Sequence, residues 1–291
     1  MRRRFVAILG VLVASGCLFP SIDELGGGDA QDLDADFDGP TSDVAAESAP
    51  TDAPVDVAAD AADAAPQDSG TDAPAAFCAQ HASALFCADF DESADAAAGF
   101  SSTYLTAGGV VALDTSEFAT PPAALLAGST ALASGASAHG AEVRSTSFAP
   151  TTSVTLDVDV RVDALATQGS YVEAFALVFE GSPRSSVQLN VKSASTEVGE
   201  ELDSGDGGKS YVGHTFTTQL PMAKWSHVQI ALSFAARTLT AIVDSNVVVD
   251  HVAISPSFTT GNLDVYVGNA YSPGPSSGTS IVYDDVLVVA N

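Results

Sequence analysis

Three cysteines are the residues of this chain whose types and spacing point most directly to chemistry. Cys17 follows an apolar run near the start of the sequence, whereas Cys78 and Cys87 lie close together far downstream. Cysteine thiols can act as nucleophiles, bind metal ions or form disulfides. The Cys78–Cys87 spacing is too wide for a Cys-x-x-Cys metal site, and no second pair of ligands accompanies it. The odd number of cysteines leaves Cys17 to be explained separately.

The segment before Cys17 has the layout of a secretory signal. Three arginines at positions 2–4 precede the apolar run 5–13, and small residues follow at positions 14–16. A charged start, a short apolar stretch and a small-residue end are typical of an export signal. The apolar run is about half of the ~20 residues that a membrane-spanning helix needs, so a permanent span is not expected.

The small-small-cysteine ending resembles a bacterial lipobox over residues 13–17, with Ala14 where the pattern prefers leucine. The resemblance implies that residues 1–16 are a signal peptide and that Cys17 carries a lipid anchor after cleavage. Several acyl chains, at about 0.8 kcal/mol per buried CH2, would hold the protein on the bacterial cell envelope. Leu18 stands where an aspartate would favour the inner membrane, so the outer membrane is favoured. The alternative is an ordinary cleaved signal in which Cys17 is incidental.

Export also predicts the state of the other two cysteines. In an oxidising compartment, Cys78 and Cys87 are expected to form a disulfide that closes a short loop. Such a loop would stabilise the fold by roughly 2–3 kcal/mol in the chain-entropy model. Two free buried thiols are the alternative.

Residues 17–76 are predicted to form a disordered acidic tether. Positions 18–76 hold 15 acidic residues and no Lys or Arg, and Asp, Ala and Pro dominate. High like charge with little apolar mass predicts disorder. Residues 32–39 superficially resemble an EF-hand calcium loop, but they lack its final glutamate and its flanking helices. Residues 77–291 carry 22 acidic residues against 7 Lys and Arg, which argues against a nucleic-acid partner.

Residues 77–291 are predicted to be an all-β domain. Apolar and polar residues alternate over positions 154–162, and further strand patterns occur at 171–180, 186–193, 225–234, 238–244, 246–254, 263–268 and 281–289. Polar turns separate these segments. The pattern predicts an antiparallel two-sheet jelly-roll sandwich.

The segment "PMAKWSHVQIALSFAARTLTAIVDSNVVVDHVAI" resembles laminin-G and concanavalin A-like jelly rolls, as do the final "IVYDDVLVV" and the early "FCADFDE". This resemblance covers roughly residues 86–290 and implies an opening strand that pairs near the last one. Because this fold carries lectins, hydrolases, lyases and adhesive modules, it is poorly specific for function.

The resemblance also implies a structural calcium ion, held by acids of the first and last strands. The residues that could supply its oxygen ligands are Asp89, Asp91, Asp284 and Asp285. The alternative is outward-facing charge that protects a sheet edge.

A catalytic site is not apparent in the sequence. The Glu-x-Asp-x-x-Glu motif of the glycan-hydrolysing relatives is absent, and the acid-rich segment 197–208 is interpreted as a loop. The acids Asp157, Asp159 and Asp163 are interpreted as a solvated strand face. Trp225 and His227 are interpreted as packing residues.

The sequence therefore favours a non-catalytic binding module for a glycan or a surface partner, displayed on a lipid anchor. Tyr211, His214 and Tyr271 are the candidate ligand-binding residues, because exposed aromatic faces beside polar groups suit carbohydrate. The alternative is that the segments that carry them, 208–214 and 268–280, are ordinary connecting loops. A divergent glycan-degrading enzyme and a structural spacer protein are the alternatives. An enzyme would need a pair of acids in the concave groove.

Overall fold

The computed structural model describes residues 76–147, 151–165, 171–203 and 208–291. The predicted signal peptide, the lipidation site Cys17, the tether and the EF-hand-like segment lie outside the described residues. One short helix, α1 (Phe77–Gln80), precedes fifteen strands. The strands are β1 (Phe86–Ala88), β2 (Ser102–Leu105), β3 (Gly109–Asp114), β4 (Ala124–Ser129), β5 (Ser137–Thr146), β6 (Ser153–Ala164), β7 (Tyr171–Glu180), β8 (Ser185–Lys192), β9 (Thr196–Asp203), β10 (Lys209–Thr215), β11 (Trp225–Ser233), β12 (Thr238–Val243), β13 (Asn246–Ala253), β14 (Asn262–Pro273) and β15 (Thr279–Ala290).

The strands form two antiparallel sheets, which confirms the predicted jelly-roll sandwich. An eight-stranded sheet has the order β13-β12-β11-β6-β15-β4-β3, with β1 paired to β15. A seven-stranded sheet has the order β10-β9-β8-β7-β14-β5-β2. Runs of consecutive strands form one outer part of each sheet, whereas the central pairs β6 with β15 and β7 with β14 join distant parts of the chain.

Side-chain alternation explains how each sheet builds its share of the core. In β6, every second residue from Val154 to Val162 is almost fully buried, and the residues between them are partly exposed. Successive strand residues point to opposite faces, so this pattern places one row of valines between the sheets. Tyr283 of β15 is fully buried there, and its hydroxyl donates a hydrogen bond to the Ala174 carbonyl at 2.5 Å. The buried phenol therefore keeps a partner for its polar atom.

The opening strand pairs with the closing strand, as the resemblance implied. Phe86 of β1 lies opposite Val288 of β15, and the two strands are antiparallel. The predicted disulfide is present between Cys78 and Cys87, with an S–S distance of 2.06 Å. This bond joins α1 to β1 and therefore ties the first described residues to the eight-stranded sheet.

The structure corrects the interpretation of the acid-rich segment 197–208 as a loop. Its first seven residues belong to β9, which pairs with β8 on one side and β10 on the other. Val198 and Leu202 of β9 face the core, whereas Glu197 and Glu201 face outward. Glu197 and Glu201 therefore belong to the outer face of a strand, whereas Glu200 lies on its buried face with Val198 and Leu202.

Within the described residues, no helix is both long and apolar enough to cross a membrane.

Candidate functional site

The outer face of the seven-stranded sheet carries a cleft of about 530 Å³. Each strand of that sheet contributes at least one lining residue, from β10 at one edge to β2 at the other. The volume lies in the range of ~300–1,000 Å³ that is usual for small-molecule sites. Because all of these strands belong to one hydrogen-bonded sheet, the lining side chains are held on a continuous scaffold.

Aromatic rings form a continuous row along this cleft. Ring centroids lie 6.3 Å apart for Tyr266 and Tyr104, 4.4 Å for Tyr104 and His139, 5.6 Å for His139 and Tyr271, and 5.9 Å for Tyr271 and Tyr171. Tyr104 and Tyr171 are exposed, at 42% and 37% of their surface. The row therefore offers flat apolar faces to a ligand, together with phenol groups that can form hydrogen bonds.

One imidazole nitrogen of His139 is already engaged by the backbone. Its Nδ1 lies 2.5 Å from the carbonyl oxygen of Ala270, and a carbonyl can only accept a hydrogen bond. The proton must therefore be on Nδ1, and in the neutral ring Nε2 is left as an acceptor. His139 can accept a hydrogen bond from a ligand hydroxyl, or take a proton from one.

Glu173 is the half-buried carboxyl of the cleft. Burial raises its pKa to about 7, and the neighbouring Glu201 carboxylate adds to the rise, while Lys209 and Arg184 oppose it. None of the described residues donates a hydrogen bond to Glu173 or pairs with it. Near neutral pH this side chain can therefore donate or accept a proton.

The cationic side chains on this sheet face are held in ion pairs. Arg184 Nε lies 2.8 Å from Glu180 Oε1, Lys192 Nζ lies 2.8 Å from Glu197 Oε1, and Lys209 Nζ lies 2.5 Å from Glu201 Oε1. Of these six residues, Arg184, Lys209 and Glu201 line the cleft itself. Each of these cations is therefore paired with a glutamate other than Glu173, and Glu173 is left without a counter-ion.

The structure places the three predicted ligand-binding residues differently. Tyr271 lines the cleft, and Tyr211 lies on the same sheet face, opposite Glu201 in the β9–β10 register. His214 is three residues beyond Tyr211 in β10 and so faces the other way. Its Nε2 lies 3.3 Å from the buried Glu200 carboxylate. The structure therefore does not bring His214 into the cleft.

Sequence reasoning missed most of the cleft. Tyr104, His139, Tyr171, Glu173 and Tyr266 were not singled out, because they lie far apart in the chain and each sits in an ordinary strand pattern. The alternation of β14 over residues 263–267 was the available signal, since it puts Tyr266 on the face opposite the core.

The four acids predicted to bind calcium are neighbours. A register shift in β15 between Asp284 and Leu287, with Asp285 at a φ of 48°, lets both adjacent aspartates be buried. Burial raises the pKa of Asp284 to about 7 and that of Asp285 to about 6. The charges of Asp89 and Asp91 contribute to the rise at Asp285.

These acids act as hydrogen-bond acceptors in the structure. Asp284 Oδ2 accepts the backbone N–H groups of Ala119 and Thr120, both at 2.9 Å, and Asp91 Oδ1 accepts that of Ala123 at 3.0 Å. Among the described residues, no three Asp, Glu, His or Cys side chains are placed to hold one metal ion. The arrangement is therefore not a formed calcium site, and calcium binding stays a prediction.

The interpretation of Trp225 and His227 as packing residues is wrong for the histidine. Both lie on the outer face of β11, where Trp225 is partly buried and the His227 side chain is 52% exposed. His227 Nδ1 lies 2.9 Å from Asp159 Oδ1, and its Nε2 lies 3.6 Å from Asp157 Oδ1. The neighbouring carboxylates of Asp157 and then Asp159 raise the pKa of His227 to about 10.

The remaining acid of that strand face is also paired. Asp163 Oδ1 accepts a hydrogen bond from Arg161 Nε at 2.7 Å, and Arg161 also contacts Glu117. Asp157, Asp159 and Asp163 are thus partly exposed strand residues with ion-pair partners. Together with His227 they form a charged outer surface on the eight-stranded sheet.

Comparison with known proteins supports the fold. No family model matches the chain, and no curated protein matches its sequence. The chain is similar in structure to an endo-β-1,4-glucuronan lyase from the fungus Trichoderma reesei, with a TM-score of 0.56 and 11% identity over 72% of this chain and 96% of that one. This similarity shows a shared jelly-roll fold.

Two further solved structures are more distant. A cellulose-induced protein has a TM-score of 0.49 and 12% identity, over 71% of this chain and 97% of that one. A carbohydrate-binding module from Bacillus subtilis has a TM-score of 0.39 and 16% identity, over 65% of this chain and 96% of that one.

Proposed function

We propose that this domain binds a glycan in the cleft of the seven-stranded sheet. The observation that carries the proposal is the row of aromatic rings Tyr266, Tyr104, His139, Tyr271 and Tyr171 along a cleft of about 530 Å³. Sugars present apolar C–H faces and hydroxyl rims, so they need aromatic faces and polar groups side by side. The similarity in fold to an endo-β-1,4-glucuronan lyase, a protein that acts on a glycan, supports this proposal.

The test is a glycan-array screen followed by calorimetry on the array's best ligand. The protein used in this test is the full chain with the substitution Cys17→Ala, which removes the predicted lipidation site. Tyr104→Ala and Tyr271→Ala are each expected to weaken binding by about fivefold or more, if a stacked ring contributes about 1 kcal/mol. Val247→Ala is the matched control, because Val247 is 52% exposed on the other sheet. An array without any bound glycan would overturn the proposal.

A second candidate function is glycan cleavage in the same cleft. The observation that favours it is that Glu173, whose pKa burial raises to about 7, shares the cleft with the ion-paired Glu201. Two carboxyl groups in different environments can divide the general-acid role from the base or nucleophile role. New reducing ends would reveal hydrolysis, and ultraviolet-absorbing unsaturated sugars would reveal elimination. Loss of product formation in Glu173→Gln with retained binding would favour the enzyme.

We also propose that the domain is displayed on the bacterial envelope through a lipid on Cys17. Support comes from the sequence layout of residues 1–17 alone. Mass spectrometry of the protein from bacterial membranes should show an acylated N-terminal cysteine. Cys17→Ser should release the protein from the membrane fraction.

A further inference from the structure

We propose that the glycan bound in the cleft carries positive charge, as an amino sugar with a free ammonium group does, and that Glu173 is its counter-ion. This inference rests on the proposed function and names the ligand class of the same site.

Each lysine or arginine of the described sheet face already has an anionic partner. Arg184, Lys192 and Lys209 are each within 2.8 Å of a glutamate oxygen on this face. A uronate or sulfate group that approached one of these cations would lie beside the paired glutamate, which would repel it. An anionic glycan therefore gains little here.

The carboxyl group of Glu173 has no partner among the described residues. This side chain is half-buried in the cleft, and none of the described residues donates a hydrogen bond to it. Taking an ionised carboxylate away from water is unfavourable unless a partner replaces the lost solvation. An ammonium group of the ligand would supply that partner with a charge-assisted hydrogen bond.

Acidic residues outnumber lysines and arginines on the sheet face around Glu173. Glu201 lines the same cleft, and Asp264 lies two residues before the lining residue Tyr266 in β14. Residues 77–291 as a whole carry 22 acidic residues against 7 Lys and Arg. This field repels anionic glycans at a distance and attracts cationic ones.

The test compares three oligosaccharides of equal length by calorimetry with the full Cys17→Ala chain at pH 7 and low salt. They are built from glucosamine, N-acetylglucosamine and glucuronate, and so are cationic, neutral and anionic. We expect the glucosamine oligomer to bind about tenfold more tightly than the neutral one, because a hydrogen bond between an ammonium and a carboxylate is stronger than one between neutral groups. The glucuronate oligomer should bind most weakly.

Two variants separate contact at Glu173 from the general field of the protein. Glu173→Gln keeps the shape of the side chain and should bring the affinities for the glucosamine and neutral oligomers together. Asp250→Asn removes an exposed negative charge beside His251 on the eight-stranded sheet. This control should keep the tenfold preference for the glucosamine oligomer over the neutral one. An equal loss of this preference in both variants would show a long-range electrostatic effect and overturn the role of Glu173.

The outcomes also distinguish this inference from the proposed function. A glucuronate or neutral oligomer that binds as tightly as the glucosamine oligomer overturns the charge assignment and leaves glycan binding intact. Failure of the glucosamine oligomer to bind overturns the inference, and an array with no bound glycan overturns the proposed function as well.

Discussion

Tyr211 lies across Gly199 on the outer face of the seven-stranded sheet. A Cβ added to Gly199 would lie 2.1 Å from the Tyr211 hydroxyl oxygen and 2.4 Å from two ring carbons. In this position the Tyr211 hydroxyl donates to Glu197 Oε1 and accepts from Asn190 Nδ2, both at 2.7 Å. The missing side chain at Gly199 is therefore what allows a tyrosine of β10 to reach residues of β9 and β8.

Gly199→Ala should displace Tyr211 and break both of its hydrogen bonds. We expect a loss of about 1–3 kcal/mol in the free energy of unfolding, because the Glu197 carboxylate loses a donor near the core of the sheet. Denaturant unfolding would measure this loss. In a Tyr211→Ala background the same substitution should cost much less, and equal costs in both backgrounds would contradict the contact.

The disulfide between Cys78 and Cys87 should stabilise the domain. Replacing both cysteines by serine should lower the free energy of unfolding by about 2–3 kcal/mol, because the reduced loop gains freedom in the unfolded chain. Denaturant unfolding of the oxidised, reduced and double-serine proteins would measure this. Reducing agent should have no further effect on the double variant, and an effect there would show that the loss arises elsewhere.

His227 should titrate far above an ordinary histidine. Its pKa of about 10, raised by the carboxylates of Asp157 and then Asp159, exceeds the usual value of 6.5. The charged pair therefore stabilises the fold fully below pH 6.5, and this contribution is lost as the pH rises through 10. Since the side chain is 52% exposed, we expect only about 0.5–1 kcal/mol, reduced further by salt.

Nuclear magnetic resonance can follow the His227 ring directly. Asp159→Asn should lower the pKa of His227, because it removes one of the two negative partners. An unchanged His227 titration in Asp159→Asn would contradict the geometry.

Stability in the absence of divalent cations should fall as the pH rises from about 4 to about 7. The pKa values of Asp284 and Glu173 are raised to about 7 and that of Asp285 to about 6, above the ordinary values of 3.8 and 4.5. Because the folded state binds these protons more tightly than the unfolded state, the stability present at low pH is lost as the pH rises through these pKa values. Each group should contribute on the order of 1–3 kcal/mol.

Thermal unfolding in a chelator at several pH values would measure this dependence. Glu173→Gln and Asp285→Asn should each flatten the profile, and a profile that is unchanged in both would contradict the assignment. The same scans with calcium test the sequence-based prediction at Asp89, Asp91, Asp284 and Asp285. A calcium ion held by these acids would raise the unfolding temperature at pH 7.5 more than at pH 5, where protons compete for the carboxylates.

The sequence was sufficient where burial follows a simple period. The alternation of β6 indicates a strand with one buried and one exposed face, and the apolar run of β7 indicates a central strand. The pairing of β1 with β15 followed from the resemblance. β9 was missed because Glu200 interrupts its buried face, between Val198 and Leu202. Glu200 is tolerated there since it accepts the Ser255 N–H at 2.8 Å, a contact with a residue far along the chain.

The cleft could not be predicted for a different reason. Its aromatic row joins Tyr104 of β2 to Tyr171 of β7 through β5 and β14, so the ring contacts exist only after the strand order is known. The isolated state of Glu173 is likewise a three-dimensional property. Only the structure shows that the nearby cations pair with other glutamates.

The Cys78–Cys87 bond also determines how the domain responds to a pulling force. A load applied at Ala76 reaches the crosslink within two residues and passes through it into β1, whose three residues pair with β15. The loop between the cysteines is bypassed and cannot be drawn out. Mechanical resistance therefore begins at the β1–β15 ladder, and a ligand held on the opposite sheet would be pulled against the whole sandwich.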